Sequence, residues 1–373
     1  MTPARAGDTV HRPDSRACAR LIPILCLLPK GDRLSLSNLD SFLRSFQADT
    51  GLREFQEPVR EQLEAVGASF GDFFQSSIPL VRGLSGHLLG VTGKKFRPAL
   101  VLLVANSGQP VPADAVFAAS VIELIHTATL VHDDTIDRSA VRRGLPTINA
   151  LFNDQVSTIL GDYIFTKALH ELVEQGLDTL VPVVARTIYH MSIGEMMQIQ
   201  QKEDLDLGED AYFELVDQKT ASLMGASTEI GALVGRLGPE RTARFRRFGE
   251  LLGRAYQVTD DLFDYIGDAV RIGKGVRTDL PDGKVTLPLI RGLAGAGARD
   301  RARLRELAAR KDPGPEGWDD LLTILERAGA IASCRDTAHA LAGECVLTLR
   351  DEPSSRWRDA LEQAVAYAVH RLH

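Results

Sequence analysis

The sequence predicts an all-α protein, a single large helical bundle, on three observations. The composition is rich in Ala, Leu, Arg and Glu with only 6% aromatic residues, a mixture that favours helix over sheet. From about Leu52 onward nearly every segment spaces its apolar residues at the helical period. Convincing runs of strand alternation are missing.

Residues 1–51 mix Pro, Arg, Ser and Asp without sustained periodicity, and read as a weakly ordered extension. The domain is expected over residues 52–373. Its helical segments begin with REFQEPVREQLEAVGASFGDFF, followed by the strongly apolar FRPALVLLVANS and VFAASVIELIHTATLVHDD. QVSTILGDYIFTKALHELVEQ and FRRFGELLGRAYQVTDDLFDYIGD are amphipathic in the same way. The breaks SGQPVPAD, RLGPE and KDPGPEG end helices where Gly and Pro accumulate.

A net charge of −7 argues against a general nucleic-acid binder. The cysteines Cys18, Cys26, Cys334 and Cys345 form no CxxC pair, and read as reduced thiols of a cytoplasmic protein. No apolar run approaches the ~20 residues that a membrane-spanning helix needs. Leu21–Pro29 could imitate a signal-peptide core, but Asp8 and Asp14 interrupt its basic lead and no small-residue cleavage site follows.

The chemistry sits in a repeated pattern, Asp-Asp-x-x-Asp, found as DDTID at 133–137 and DDLFD at 260–264. On a helix, positions i and i+4 share a face, about 6 Å apart along the axis. Asp133 and Asp137 therefore project together, as do Asp260 and Asp264. Paired hard oxygens suit Mg²⁺, which binds few carboxylates and completes its shell with waters and substrate phosphates. One such motif alone could equally be a solvated acidic face. Two of them, each embedded in apolar sequence, call for cations, because unpaired buried charges are costly.

Basic residues lie beside both motifs: Lys94 and Arg97 upstream, Arg138, Arg142 and Arg143 after the first, Lys219 in DQKTASL, and Lys274 and Lys284 after the second. Arg offers bidentate contacts to phosphate and Lys a point charge. Singly, each is an ordinary surface charge; their placement suggests a site for more than one phosphate-bearing substrate. His126, seven residues before Asp133, lies two turns away on the same face, where a lone histidine is usually structural but diphosphate contact is plausible. The sequence has no GxxxxGK[ST] loop, GxSxG elbow, HExxH pair or zinc-spaced Cys/His cluster.

The segments GKKFRP, LIHTATLVHDDTIDRSAVRRGLPTIN, GDYIFTKAL, GEMMQIQ, KTASLMGAS, LGRAYQVTDDLFDY and GKGVRTDLPDGKVTLPLI, spanning Gly93 to Ile290, resemble the trans (all-E) polyprenyl diphosphate synthases of the farnesyl, geranylgeranyl and octaprenyl type. The resemblance implies an all-helical bundle around a central cavity, usually a homodimer. It also implies an enzyme that condenses an allylic diphosphate with isopentenyl diphosphate and releases pyrophosphate. Asp133 and Asp137 would bind Mg²⁺ on the allylic diphosphate with Asp134 assisting. Asp260 and Asp264 would bind a further Mg²⁺ with Asp261 assisting, three ions per site in all, which Mn²⁺ could replace. Lys94, Arg97, His126 and Arg143 would grip isopentenyl diphosphate. Arg142, Lys219, Lys274 and Lys284 would face the allylic diphosphate, and Thr220 and Gln257 would sit beside the developing carbocation. Long products would favour transient membrane contact.

Three positions depart from the family pattern. Thr92 and Arg277 stand where glycine is common, and altered loop geometry is expected there. Gln198 stands where short-chain members often carry Asp, with no evident role. A terpene cyclase is disfavoured by Asp264 and Asp268 at its diagnostic positions. A non-catalytic regulatory subunit is disfavoured by the intact aspartates and the absence of CxxxC. Product length is expected to be C25 to C50, with C20 as the alternative. Ala128 and Thr129, five and four residues before Asp133, are too small to close a cavity floor where short-chain members carry Tyr or Phe. Ile125, Ile122, Met196 or Met197 would then set the stop.

Overall fold

The structure, a computed structural model, describes residues 51–75, 78–90, 93–108, 113–142, 145–267 and 277–370. Residues Gln47–His373 form one compact unit. Fourteen helices are labelled here among the described residues: α1 Arg60–Phe70, α2 Pro79–Gly90, α3 Phe96–Ala105, α4 Ala115–Ile136, α5 Asp154–Glu174, α6 Val181–Gln200 and α7 Glu209–Val216, then α8 Ser222–Val234, α9 Pro239–Ile266, α10 Leu287–Gly295, α11 Ala298–Ala309, α12 Gly314–Arg327, α13 Ala330–Thr348 and α14 Arg356–His370. The sole sheet among these residues is a two-residue ribbon, β1 Val141–Arg142 against β2 Leu145–Pro146, antiparallel with Arg142 opposite Leu145. The all-α expectation holds.

The most apolar segments form the centre. In α3 every residue but Arg97 is buried, so this helix is surrounded rather than amphipathic. It packs against α4 and α8, α8 packs along α9, and α9 packs along α13. α4 and α9 carry the aspartate motifs, and both are held by this central stack. The α8–α9 approach depends on glycine: a Cβ on Gly253 would lie 2.6 Å from the Cα of Ala221, leaving no room for any side chain.

At 22 residues α4 is long and apolar enough, by length and composition, to cross a membrane. This corrects the expectation that no segment reaches that threshold. The reason is packing: α4 lies against α1, α3, α5 and α8, and its apolar character fills the protein core. The start of the fold also falls slightly earlier than expected, since residues 51–56 are helical. Phe55 is fully buried, 5.2 Å from the ring of Phe96, and Phe96 in turn lies 5.8 Å from Tyr367 of α14. Aromatic packing thus ties the first described turn to the last helix.

Candidate active site

Both aspartate motifs occupy the C-terminal ends of their helices. α4 ends at Ile136 with Asp137 as its cap, and α9 ends at Ile266, two residues beyond Asp264. Carbonyl groups point outward there and the macrodipole disfavours anions. Carboxylates crowded at that end need cations or hydrogen-bond donors beside them.

The first cluster finds lysines from two other elements. Asp133 Oδ2 lies 3.6 Å from Lys219 Nζ, and Asp137 Oδ2 lies 3.4 Å from Lys284 Nζ. Burial raises the Asp133 carboxyl to about 6, with Lys219 opposing the rise and Glu195 adding to it. Asp134 is buried and accepts a 2.6 Å hydrogen bond from Arg142 Nε. Arg142, expected to face a diphosphate, is thus tied through its Nε to the motif.

Lys219 and Thr220 sit in a single π-helical turn, Asp217–Ala221, between α7 and α8. Such turns recur at functional sites because the extra residue re-aims side chains. Arg254 of α9 clamps the turn through two 2.5 Å bonds to both oxygens of Asp217. Lys219 Nζ then reaches Glu195 Oε2 on α6, and Gln198 Oε1 at 3.2 Å. Gln198 thus gains a role, as an acceptor for Lys219.

Thr220 donates to Gln257 Oε1 at 2.8 Å, and Gln257 Nε2 donates to Asp261 Oδ1 at 2.7 Å. The other oxygen of Asp261 accepts from the buried Tyr212 hydroxyl at 2.6 Å. Burial lifts Asp261 to about 7, against these two donors. Asp261 is a strut between α7 and α9.

Asp264, expected as a metal ligand, has hydrogen-bond donors of its own: Oδ1 accepts from Thr278 N at 2.9 Å and Thr278 Oγ1 at 3.1 Å, and Oδ2 accepts from Asp279 N at 3.1 Å. Three of roughly four lone-pair sites are used. The partly exposed carboxylate of the second cluster is Asp260. Asp279, missed in the sequence, lies within electrostatic reach of Asp264 and Asp261, and burial pushes its carboxyl well up. Burial lowers the Lys284 ammonium, but Asp279, Asp137 and Asp282 outweigh it and raise the group. Lys284 is thus the charge that couples the two clusters.

The remaining expected residues have partners of their own. Arg97 Nη1 stands 3.2 Å from His126 Nε2; arginine only donates, so that nitrogen accepts. Lys94 Nζ is 3.1 Å from the Tyr367 hydroxyl. Arg277 has φ of +64°, the left-handed region that glycine takes freely, and its guanidinium lies 5.4 Å from the Trp318 ring centroid. The loop keeps the glycine conformation there. Thr92, Arg143, Asp268 and Lys274 lie outside the described residues. Ala128, Ile125 and Ile122 are fully buried, whereas Met196 is 57% exposed. Met196 is therefore withdrawn as a cavity stop.

Among the described residues no three acidic, His or Cys side chains converge to hold a metal by themselves. The donor set still fits a hard divalent ion that takes paired carboxylates and completes its shell from phosphate. Buried Glu195 Oε1, without a hydrogen-bond partner, adds a further acceptor beside Lys219.

A helical bundle with two facing aspartate clusters and interposed lysines defines an isoprenoid synthase. Residues 78–325 match the family described as polyprenyl synthetase, and the chain belongs to that family. It is 33% identical over 316 residues to the all-trans-nonaprenyl-diphosphate synthase (geranyl-diphosphate specific) of Rhodobacter capsulatus, covering 84% of this chain and 96% of the relative. It is 33% identical over 330 residues to the short chain isoprenyl diphosphate synthase of Methanothermobacter thermautotrophicus, covering 86% and 98%. The polyprenyl synthase of Caulobacter crescentus CB15, solved with calcium and isoprenyl diphosphate, superposes with a TM-score of 0.80 at 28% identity, covering 86% and 97%. Head-to-tail condensation into a polyprenyl diphosphate is the transferase activity of this chain.

Proposed function

We propose that this enzyme elongates an allylic diphosphate with isopentenyl diphosphate, depends on Mg²⁺, and makes products of C25 to C50. The observation that supports the reading best is the pairing of Asp133 with Lys219 and Asp137 with Lys284, which brings carboxylates for a metal and ammoniums for phosphate to one place. Asp133, Asp137 and Asp260 would hold the ions, three per site. When bound, Mg²⁺ would neutralise the charge that builds on the departing diphosphate. Lys219 and Lys284 stabilise the same oxygens electrostatically. The carbonyl of Gln257 and the hydroxyl of Thr220, bonded to each other, would offer oxygen to a forming allylic cation, while buried Asp261 keeps Gln257 oriented. Arg97 and His126 orient isopentenyl diphosphate. The released pyrophosphate takes the proton.

A homodimer is part of this reading. α5 and α6 pack together and leave Ile159, Val173, Tyr189, Met196 and Ile199 exposed, apolar side chains that a partner subunit would cover. Purified protein incubated with Mg²⁺, isopentenyl diphosphate and geranyl, farnesyl or geranylgeranyl diphosphate should yield a polyprenyl diphosphate by chromatography. A cyclic hydrocarbon, or no product with any primer, would refute the reading.

A further inference from the structure

The π turn that carries Lys219 and Thr220 has the sequence DQKTA, without glycine or proline. Ser222 closes it, its backbone N–H reaching back five residues to the Asp217 carbonyl. The carbonyl that this N–H would meet in an α-helix, that of Gln218, accepts the Ser222 hydroxyl at 2.6 Å. DQKTA contains no residue that breaks an α-helix, so the π register is set by what surrounds it. Two helices grip the turn. α9 brings Gly253, which admits Ala221, then Arg254, which binds both oxygens of Asp217 at 2.5 Å, then Gln257, which accepts from Thr220. α6 brings His190, whose Nδ1 donates to Gln218 Oε1 at 2.6 Å. One helical turn further on, Gly194 packs on the Lys219 backbone.

We propose that Arg254 and His190 are positioning residues for the condensation: by holding the π register they aim Lys219 at the allylic diphosphate and Thr220 at Gln257. The inference rests on the reading of Lys219 as an ammonium that meets that diphosphate. Each residue of helix turns by about 100°. A slip of the turn into α-helical register would therefore swing Lys219 away from Asp133 and Thr220 away from Gln257. The Arg254–Asp217 pair is partly exposed, its side chains 28% and 37% accessible, and such pairs add little to stability. A two-bonded fork on a carboxylate instead fixes a direction, which is what a turn with no register preference of its own requires. His190 holds the next residue from a different helix, so the turn is fixed from two sides.

The test uses the full chain with Mg²⁺, isopentenyl diphosphate and whichever of geranyl, farnesyl or geranylgeranyl diphosphate wild type elongates fastest, and reads kcat and both KM values. Arg254→Lys keeps the charge but cannot form the fork. It should lower kcat by about tenfold and raise the KM for the allylic primer, with the KM for isopentenyl diphosphate unchanged. Asp217→Asn should do the same, and the double variant should be no slower than the slower single one, because both changes remove one interaction. His190→Phe should be several-fold slower than wild type, whereas His190→Asn, which keeps an N–H donor near the same place, should recover most of the rate. A wild-type kcat in Arg254→Lys, losses that multiply in the double variant, or equal rises in both KM values would overturn the role of Arg254. Equal rates for His190→Asn and His190→Phe would overturn that of His190. Should Arg254→Lys lose its helical circular dichroism, Asp217→Asn carries the measurement. Lys219→Gln separates the two levels: a near wild-type rate there refutes the reading of Lys219, while a large loss there beside unaffected Arg254→Lys and His190→Phe refutes the positioning alone.

Discussion

Gly194 of α6 faces the backbone of Lys219 so closely that a Cβ at this position would lie 2.8 Å from the Lys219 nitrogen and 2.9 Å from its Cβ. The approach lets α6 present Glu195 and Gln198 to the lysine of the π turn. Gly194→Ala is therefore expected to push the turn away and lower kcat by about tenfold or more, since small misplacements of a catalytic group cost of that order. Gly194→Val should cost more, with the helical circular dichroism retained. Activity within twofold of wild type in both variants would show that the turn tolerates the shift.

Asp133→Ala and Asp260→Ala are expected to reduce turnover by orders of magnitude while leaving the fold intact, and a chelator should do the same to wild type. Asp264→Ala should behave differently. Its carboxylate accepts from Thr278 and Asp279, so the loss should appear first as a lower melting temperature and a more protease-sensitive 277–279 segment. Equal melting temperatures for Asp260→Ala and Asp264→Ala would erase the distinction drawn here.

Much of this site could be read from residue order alone. The i, i+4 spacing places the acids on one helical face whatever else the chain does, and the lysines that pair with them, Lys219 and Lys284, stand out beside the motifs. The distribution of labour within each motif was not readable. Asp264 and Asp261 look identical to Asp133 on paper, and only the fold, which brings Thr278 and Asp279 back across a loop and Tyr212 from another helix, gives them their donors. Glu195 and Tyr212 carry no spacing signal of their own. α4 shows the same limit in another form, since its apolar composition cannot distinguish a lipid environment from a core made of other helices.

Burial raises the carboxyls of Asp133 to about 6 and Asp261 to about 7 from an ordinary 3.8. A group whose folded value lies above its unfolded value binds its proton more tightly when folded. Its contribution is complete below the unfolded value and is lost as pH rises through the folded one. Metal-stripped protein should therefore melt lower by a few degrees as pH rises from about 5 to about 8. Asp133→Asn should flatten the lower part of that slope. A melting temperature that rises across the interval would mean that other groups dominate.

His126 accepts from Arg97 and lies on the α4 face that leads to Asp133. His126→Ala should raise the KM for isopentenyl diphosphate several-fold more than that for the allylic primer. Parallel changes in both constants would assign it to helix packing instead.

Ala128 and Thr129 differ in a way that decides how product length should be probed. Ala128 is fully buried, whereas Thr129 is partly exposed and its hydroxyl is turned back onto the His126 carbonyl at 2.7 Å. A large ring at position 128 must displace packed neighbours, and overpacking of that kind costs about 1–3 kcal/mol. Ala128→Phe is therefore expected to lower stability along with any effect on length. Thr129→Phe puts the ring where space already exists, one turn beneath Asp133 at about 1.5 Å per residue. A prenyl chain growing away from the aspartates along α4 would meet it early. The variant should condense at close to the wild-type rate but stop several isoprene units sooner, seen as shorter alcohols after phosphatase treatment. Wild type ending at C15, or Thr129→Phe giving the same product distribution as wild type, would place the growing chain elsewhere in the bundle.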